Sequence, residues 1–297
     1  MEARPYPMKK RCICCGWVTP HSLFYKKSNR PKKTVRSFSP TASDFGIFYN
    51  LFQCQKCDHV FAQTDSKKIL QKYDQSDEGG EYFECAPFRA NSMRRAFDRM
   101  ARFLPRKGAR VLDLGAGGGI FLDLIRELGY KGAGIEPSYS LCRKAKKKYS
   151  VSIRQGTLQR KKKNDTPFDL ITLWEVIEHF ARPDQEIQKI EGQLKLGGKV
   201  LIATPNVQSI SAYILGSHWW SYRQMHLHYF CSRSLETLMN RFGFSKVYVN
   251  RFDKSFPFWY YLSKMIYIPL WLKKCMCFPV QIPLGDMIHL YVKRSVN

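Results

Sequence analysis

The stretch that most constrains this chain is residues 111–119, Val-Leu-Asp-Leu-Gly-Ala-Gly-Gly-Gly. A short apolar run ending at Leu114 reads as a buried strand. The turn after it carries Gly115, Gly117, Gly118 and Gly119, so no side chain blocks a molecule that approaches the main chain. A helix expected over 120–128 presents unpaired N–H groups in its first turn, which favours a polar, nucleotide-sized ligand. Dinucleotide sites use the same physics with the spacing G-x-G-x-x-G, from which this segment differs in register.

The residues that follow alternate short apolar runs with longer helical patterns. Strands are expected over 111–114, 131–135, 151–153, 168–173 and 199–203, with helices over 120–128, 139–149 and 185–196. Strands separated by helices imply right-handed crossovers and a parallel sheet, hence a doubly wound α/β domain with its ligand at the carboxyl ends of the strands. Glu136 closes the second strand about twenty residues beyond the glycine turn, where a carboxylate can accept both hydroxyls of a ribose. Ahead of this domain, Met93, Phe97, Met100, Phe103 and Leu104 recur at helical spacing among arginines, and Pro105 stops that helix.

The N-terminal part carries a second signal. Cys12 and Cys15 form one C-x-x-C pair and Cys54 and Cys57 another, and two such knuckles supply four thiolates to one tetrahedral zinc. Cys14 and His59 stand close enough in sequence to substitute for a ligand. The long separation requires a hairpin or loop between the knuckles, and Pro31, Pro40 and the basic residues 26–36 suit an exposed excursion. The opening residues MEARPYPMKKR lack an apolar signal-peptide core, so a reducing, cytoplasmic setting is expected, where paired cysteines indicate metal rather than disulfide. The remaining cysteines, Cys85, Cys142, Cys231, Cys275 and Cys277 among them, are expected to be inert buried thiols.

Charge narrows the partners. Lys and Arg total 49 against 24 Asp and Glu, a net +25 that attracts nucleic acid, anionic lipid headgroups or phosphorylated substrates. Residues 256–262 and 265–272 are rich in aromatic and aliphatic side chains, but each is shorter than the eighteen or so residues that span a bilayer. With Lys264, Lys273 and Lys274 nearby, they suit an interfacial element or a greasy substrate lid, in a protein peripheral to the membrane. The expected organisation is a zinc-ribbon-like domain over 1–62, a linker and leading helix over 63–104, the α/β domain over 105–250, and an apolar, basic insertion with a final strand over 251–297.

On these residues the chain resembles the class I S-adenosylmethionine-dependent methyltransferases. Their glycine motif LDLGxGxG stands here as residues 112–119, and the resemblance continues through Gly-Ile-Glu-Pro at 134–137, residues 168–180 with Glu-Val-Ile-Glu-His, and residues 197–206. The Glu-Val-Ile-Glu-His segment and Gln-Met-His-Leu-His-Tyr-Phe at 224–230 are similar to the small-molecule subgroup, the ubiquinone-pathway O-methyltransferases among them. The resemblance implies a Rossmann-like, mostly parallel sheet and S-adenosyl-L-methionine as cofactor. It implies that Asp113, Gly115, Ala116 and Gly117 shape the loop around the methionine part, that Glu136 holds the ribose, and that Trp174 adjoins the cofactor. The family's acidic residue near the adenine is replaced here by Gly-Thr-Leu-Gln at 156–159, so main-chain groups of Thr157 or Leu158 would hold the adenine. It also permits a divalent ion at Glu175, Glu178 and His179.

Transfer from a sulfonium needs alignment and, for a hydroxyl acceptor, removal of a proton. The candidate groups are Glu175 and His179, with Glu178 and His179 three and four residues beyond Glu175 on adjoining parts of one helical face, and His226 and His228, which alternate spacing would put on one side of an extended segment that walls the acceptor site with Trp219, Trp220 and Tyr222. The resulting expectation is methyl transfer to oxygen of a glycan-, lipid- or quinone-type small molecule, with contact to a membrane surface or lipid-linked substrate. An RNA or protein methyltransferase, favoured by the charge, and a non-enzymatic cofactor-binding scaffold are the alternatives.

Overall fold

Hydrogen bonding sorts the strands into two sheets. The computed structural model describes residues 8–27, 47–64, 80–160, 165–263 and 268–294; the basic excursion at 28–46, the turn at 74–79 and residues 161–163 lie outside them. The first sheet begins with β1 (Met8–Arg11), β2 (Val18–Tyr25), β3 (Leu51–Cys54) and β4 (Val60–Ala62), each antiparallel to the next. Two short helices, α1 (Gly80–Glu84) and α2 (Ala86–Arg99), lead into the second sheet, α2 starting earlier than its apolar spacing suggested because Ala86-Pro87 provides the first turn.

The second sheet is built from β5 (Arg110–Leu114), α3 (Ile120–Glu127), β6 (Lys131–Glu136), α4 (Tyr139–Tyr149), β7 (Ile153–Gln155), β8 (Phe168–Trp174), α5 (Pro183–Gln193) and β9 (Leu194–Pro205). The chain then passes through α6 (Ile210–Leu215), β10 (His228–Tyr229) and α7 (Ser232–Arg241), and ends in the long hairpin of β11 (Phe244–Pro257) and β12 (Pro279–Lys293), which carries α8 (Phe258–Leu262) and α9 (Leu270–Cys275) at its tip. The strand order is β11-β12-β9-β8-β5-β6-β7, parallel from β9 to β7, with β12 antiparallel to both its neighbours. This is the mostly parallel α/β sheet that the alternation of strands and helices implies. The chain adds β6 and β7 on one side of β5 and then crosses to add β8 and β9 on the other, so the strand order reverses between the parallel strands β5 and β8 and the crevice opens at their carboxyl ends, beside the glycine turn.

Two apolar layers cover the sheet, one containing Leu112, Ile171 and Ile202 with α5 and α7, the other containing Val111, Leu170 and Leu201 with α2 and α3. The alternation of neighbouring residues between the two layers is the period-2 geometry of a sheet buried on both faces. β11 and β12 are 14 and 15 residues long, and β12 pairs with the end of β9 at Asp286–Pro205. Residues 279–285 and their partners on β11 therefore extend past the carboxyl edge of the sheet, toward the crevice.

The small sheet is completed from the other half of the chain. β10 pairs antiparallel with β4, His228 opposite Phe61 and Tyr229 opposite Val60. The two cysteine knuckles also pack along α7: Arg241 donates to the carbonyls of Ile13 and Cys14 at 2.6 Å each, Arg233 pairs with Asp58 at 3.0 Å, and the Cys231 thiol faces the Cys57 carbonyl. Cys12, Cys15, Cys54 and Cys57 share one apolar cluster with Leu235, Leu238 and Met239 of α7. Cys275 and Cys277 are exposed, contrary to the expectation of burial, because α9 sits at the hairpin tip.

Candidate functional site

The crevice is a cavity of about 780 Å³ that reaches from the glycine turn to the 220–226 segment. At one end the turn folds back under β6: Gly115 and Ala116 donate to the Ile135 carbonyl at 2.8 and 3.1 Å. Gly115 has φ 65° and Gly117 φ 51°, the left-handed region that side chains disfavour. A Cβ on Gly115 would lie 2.5 Å from Val176, and one on Gly117 2.5 Å from the Tyr82 hydroxyl. Tyr82, on α1, thus closes over the turn, and its hydroxyl accepts from the Gly118 N–H at 3.2 Å.

Two buried carboxylates organise this end. Asp113 accepts a 2.6 Å hydrogen bond from Thr172 on β8, and burial pushes it up to about 7 against that bond. Glu136 accepts from the Gly117 N–H at 2.9 Å and the Ser138 N–H at 2.8 Å, one on each oxygen. Burial raises its pKa, and those two N–H groups oppose the rise. A carboxylate offers about four acceptor directions, so each oxygen keeps one for a ligand hydroxyl. Thr157 and Leu158 line the cavity just beyond β7, and Trp174 lines it at the end of β8, its ring between Phe121 and Phe252 and its Nε1 without a partner. The structure thus brings Asp113, Gly115, Ala116, Gly117, Glu136, Thr157, Leu158 and Trp174 around one end of one cavity.

The other end holds a group that could hold a metal ion. One ligand atom each from Glu178, His179 and His226 lies within 4.8 Å of the others. Residues 177–179 form a single tight 3-10 turn, not the helix assumed from the spacing of Glu175, Glu178 and His179. Glu178 accepts from Thr204 at 2.9 Å through one oxygen, its other oxygen is unpartnered, and burial pushes it up to about 8. His179 Nδ1 donates to the Met225 carbonyl at 3.0 Å, leaving Nε2 as the acceptor, and burial lowers its pKa to about 4. The rings of His179 and His226 meet edge to face at 4.8 Å, and His226 Nδ1 is buried without a partner.

Glu175 and His228 are placed elsewhere. Glu175 lines the cavity, but its φ of 58° ends β8 in a left-handed turn that sends the carboxylate to Lys254 on β11 and away from Glu178. Non-glycine residues in this conformation concentrate at functional sites. His228 does not share a face with His226, because extended pairing begins only at His228; its ring stacks on His59 of the ribbon, with Nδ1 3.1 Å from His59 Nε2. It lies outside the cavity lining, whereas Trp220, Arg223 and Met225 of the same segment are within it.

Several lining residues escaped the sequence reading. Lys254 is buried between Glu175 and Asp286, 3.0 Å from the latter; burial lowers its pKa and Asp286 opposes that. Arg89 lies over the rings of Tyr82 and Phe256, and its Nε is buried without a hydrogen-bond partner. Phe256, Tyr260 and Tyr261 bring the C-terminal apolar stretch to the cavity wall. Lys254 had a signal, since it stands between Phe252 and Phe256 at strand spacing; Arg89 fell in the polar stretch ahead of the leading helix, which in the structure begins at Ala86. Replacing Lys254 with methionine is expected to destabilise the chain by about 3 kcal/mol, because it strands two carboxylates. Adding Asp286→Asn should recover more than half of that loss in urea unfolding.

In the ribbon, the Sγ atoms of Cys12, Cys15, Cys54 and Cys57 all lie within 4.8 Å of one another, Cys12 to Cys57 at 3.6 Å and Cys15 to Cys54 at 3.9 Å. Sulfurs at about 2.3 Å from a tetrahedral zinc would be about 3.8 Å apart. Disulfide sulfurs would be at about 2.05 Å. Cys14, though buried in the same knuckle, does not belong to this group of four.

The family model described as a methyltransferase domain matches residues 88–249, more than half of the chain. The chain belongs to this methyltransferase family. It is 30% identical over 122 residues to the ubiquinone biosynthesis O-methyltransferase of Chelativorans sp., covering 39% of this chain and 48% of that protein. The enzyme of the same name from Coxiella burnetii is 30% identical over 113 residues, 36% of this chain and 48% of its own. The chain thus spans about half the length of the curated relatives it matches. Among solved structures, a chain of the Haloferax volcanii complex between the Trm112 methyltransferase activator and a methyltransferase superposes with a TM-score of 0.51 at 17% identity, covering 70% of this chain and 94% of that one. A SAM-dependent methyltransferase of Thermotoga maritima gives 0.50 at 19% identity, with 72% and 93% covered. At these identities the structures establish a shared fold. The chain thus carries a methyltransferase domain of this family, with a zinc-ribbon-like segment ahead of it. Among its described residues no helix is long and apolar enough to cross a membrane.

Proposed function

We propose that this enzyme methylates a hydroxyl of a small, apolar acceptor of lipid-linked or quinone type. The observation that carries this reading is the cavity itself: Glu136 and the glycine turn at one end, Glu178, His179 and His226 at the other, and Trp220, Phe256, Tyr260 and Tyr261 in its wall. When bound, S-adenosylmethionine supplies a methyl group on a sulfonium, whose departing thioether is neutral. Glu136 would accept the ribose hydroxyls, Thr157 and Leu158 would flank the adenine, and Arg89 beside Tyr82 would face the carboxylate of the methionine part. The aromatic wall excludes water and aligns the acceptor, which is where most of the rate gain in such a transfer originates.

Ligand atoms of Glu178, His179 and His226 within 4.8 Å of one another fit a divalent ion, which would lower the pKa of an acceptor hydroxyl. The Cys12, Cys15, Cys54 and Cys57 sulfurs fit a structural zinc. The names of the relatives support the acceptor class. So do the apolar side chains on α6, where Ile210, Tyr213 and Ile214 are 77%, 90% and 73% exposed next to the cavity residue Leu215, and Trp271 on α9, which suit a peripheral lipid contact.

The acceptor class is tested by incubating the protein with methyl-labelled S-adenosylmethionine and either vesicles containing prenylated catechols or total RNA. Label is expected in the organic extract; label found only in RNA sinks the reading. Mn²⁺ binding followed by electron paramagnetic resonance should weaken at least tenfold in His226→Ala while S-adenosylhomocysteine affinity stays within twofold. Unchanged Mn²⁺ affinity removes the divalent site.

A further inference from the structure

We propose that the ribbon is a working part of the acceptor end, with His59 and His228 as positioning residues that transmit the placement of the two cysteine knuckles, Cys12/Cys15 and Cys54/Cys57, to Glu178, His179 and His226. The inference rests on reading the four cysteines as a zinc site and the three-residue cluster as the acceptor end.

The connection is a short series of contacts. Cys12 Sγ lies 3.9 Å from His59 Nδ1, and His59 Nε2 lies 3.1 Å from His228 Nδ1, the two rings stacked at 5.1 Å with 19° between their planes. His228 also hydrogen-bonds the main chain of Phe180 and Ala181, directly after the 177–179 turn. The two ring nitrogens at 3.1 Å share one hydrogen, which ties the imidazoles to each other whichever ring carries it. Both imidazoles are buried, so neither is held by solvent.

The main chain makes the same link. Ala62 of the ribbon donates to the Leu227 carbonyl at 2.9 Å, and Leu227 donates to the Glu178 carbonyl at 2.9 Å. One residue therefore bridges the edge of the ribbon sheet and the turn that carries two members of the cluster, and the third member, His226, is its immediate neighbour. Met225, one step further, accepts from the His179 ring. The cofactor end is held by different elements: Glu136 by Gly117 and Ser138, Asp113 by Thr172, and the glycine turn by Ile135 and Tyr82.

A ribbon that merely stabilised the fold would loosen both ends together when weakened. A positioning ribbon loosens one. Hydrogen–deuterium exchange of the full chain with S-adenosylhomocysteine bound separates the two, read for the native protein, for zinc-depleted protein, and for His59→Phe and His59→Gln with zinc content measured. In zinc-depleted protein and in His59→Phe, exchange over residues 176–181 and 223–230 is expected to rise at least tenfold, while residues 110–137 are unchanged and S-adenosylhomocysteine affinity stays within twofold. His59→Gln, which restores a side-chain donor toward His228, should recover most of the protection. If His59→Phe does not fold, His228→Gln is read in its place with the same expectation.

Protection at 176–181 and 223–230 that survives the histidine substitutions overturns the proposal, and so does an equal rise over 110–137. A purified protein without zinc and with freely alkylated cysteines refutes the zinc site alone, because the His59 variants still report on the link.

Discussion

Glu136→Ala is expected to reduce S-adenosylhomocysteine affinity at least a hundredfold by calorimetry. The carboxylate is 1% exposed and has two acceptor directions left after Gly117 and Ser138. Two hydrogen bonds to an ionised acceptor contribute about 1.5 kcal/mol or more each, and about 2.8 kcal/mol is a factor of a hundred. The same truncation leaves two main-chain N–H groups without partners, so the glycine turn itself loosens. Glu136→Gln keeps the shape and one acceptor oxygen and should fall between the two. An affinity for the alanine variant within a fewfold of the native value would place the cofactor somewhere other than this cavity.

The second large effect is expected from the ribbon. Cys57→Ser should lower the thermal midpoint by about 10 °C or more and release the zinc, whereas Cys14→Ala should shift it by only a few degrees. Structural zinc contributes about 10–16 kcal/mol in isolated fingers, and losing about 6–7 kcal/mol of that corresponds to about 10 °C in a chain of this size. The contrast is informative because the two cysteines are equally buried, at 2% and 0% exposure, and differ in whether the sulfur belongs to the group of four. Equal shifts in calorimetry, with zinc retained in both, would mean that the cysteines are only core side chains.

Much of the large sheet was legible because its strands are apolar runs bounded by glycine, and α4 lies where its pattern placed it. The cofactor end was legible for the same reason: Gly115, Gly117 and Glu136 follow from local strand and turn geometry. The acceptor end was not. The spacing of Glu175, Glu178 and His179 suggested one helical face, but the left-handed φ at Glu175 and the tight turn at 177–179 replace that helix, so Glu175 goes to Lys254 and Glu178 joins His226. His228 looked equivalent to His226 because alternate residues share a side only within a strand, and the strand starts between them. The β4–β10 pairing joins residues separated by well over a hundred positions, which no local periodicity encodes.

That pairing also sets a timetable for synthesis. The ribbon's own four strands end at Ala62, while the fifth is residues 228–229. At about 5–20 residues per second, about ten to thirty seconds pass before the edge of β4 meets its partner. During that interval the nascent chain exposes an unpaired strand and four thiols, and metal captured at this stage would shield the thiols until residues 228–229 emerge.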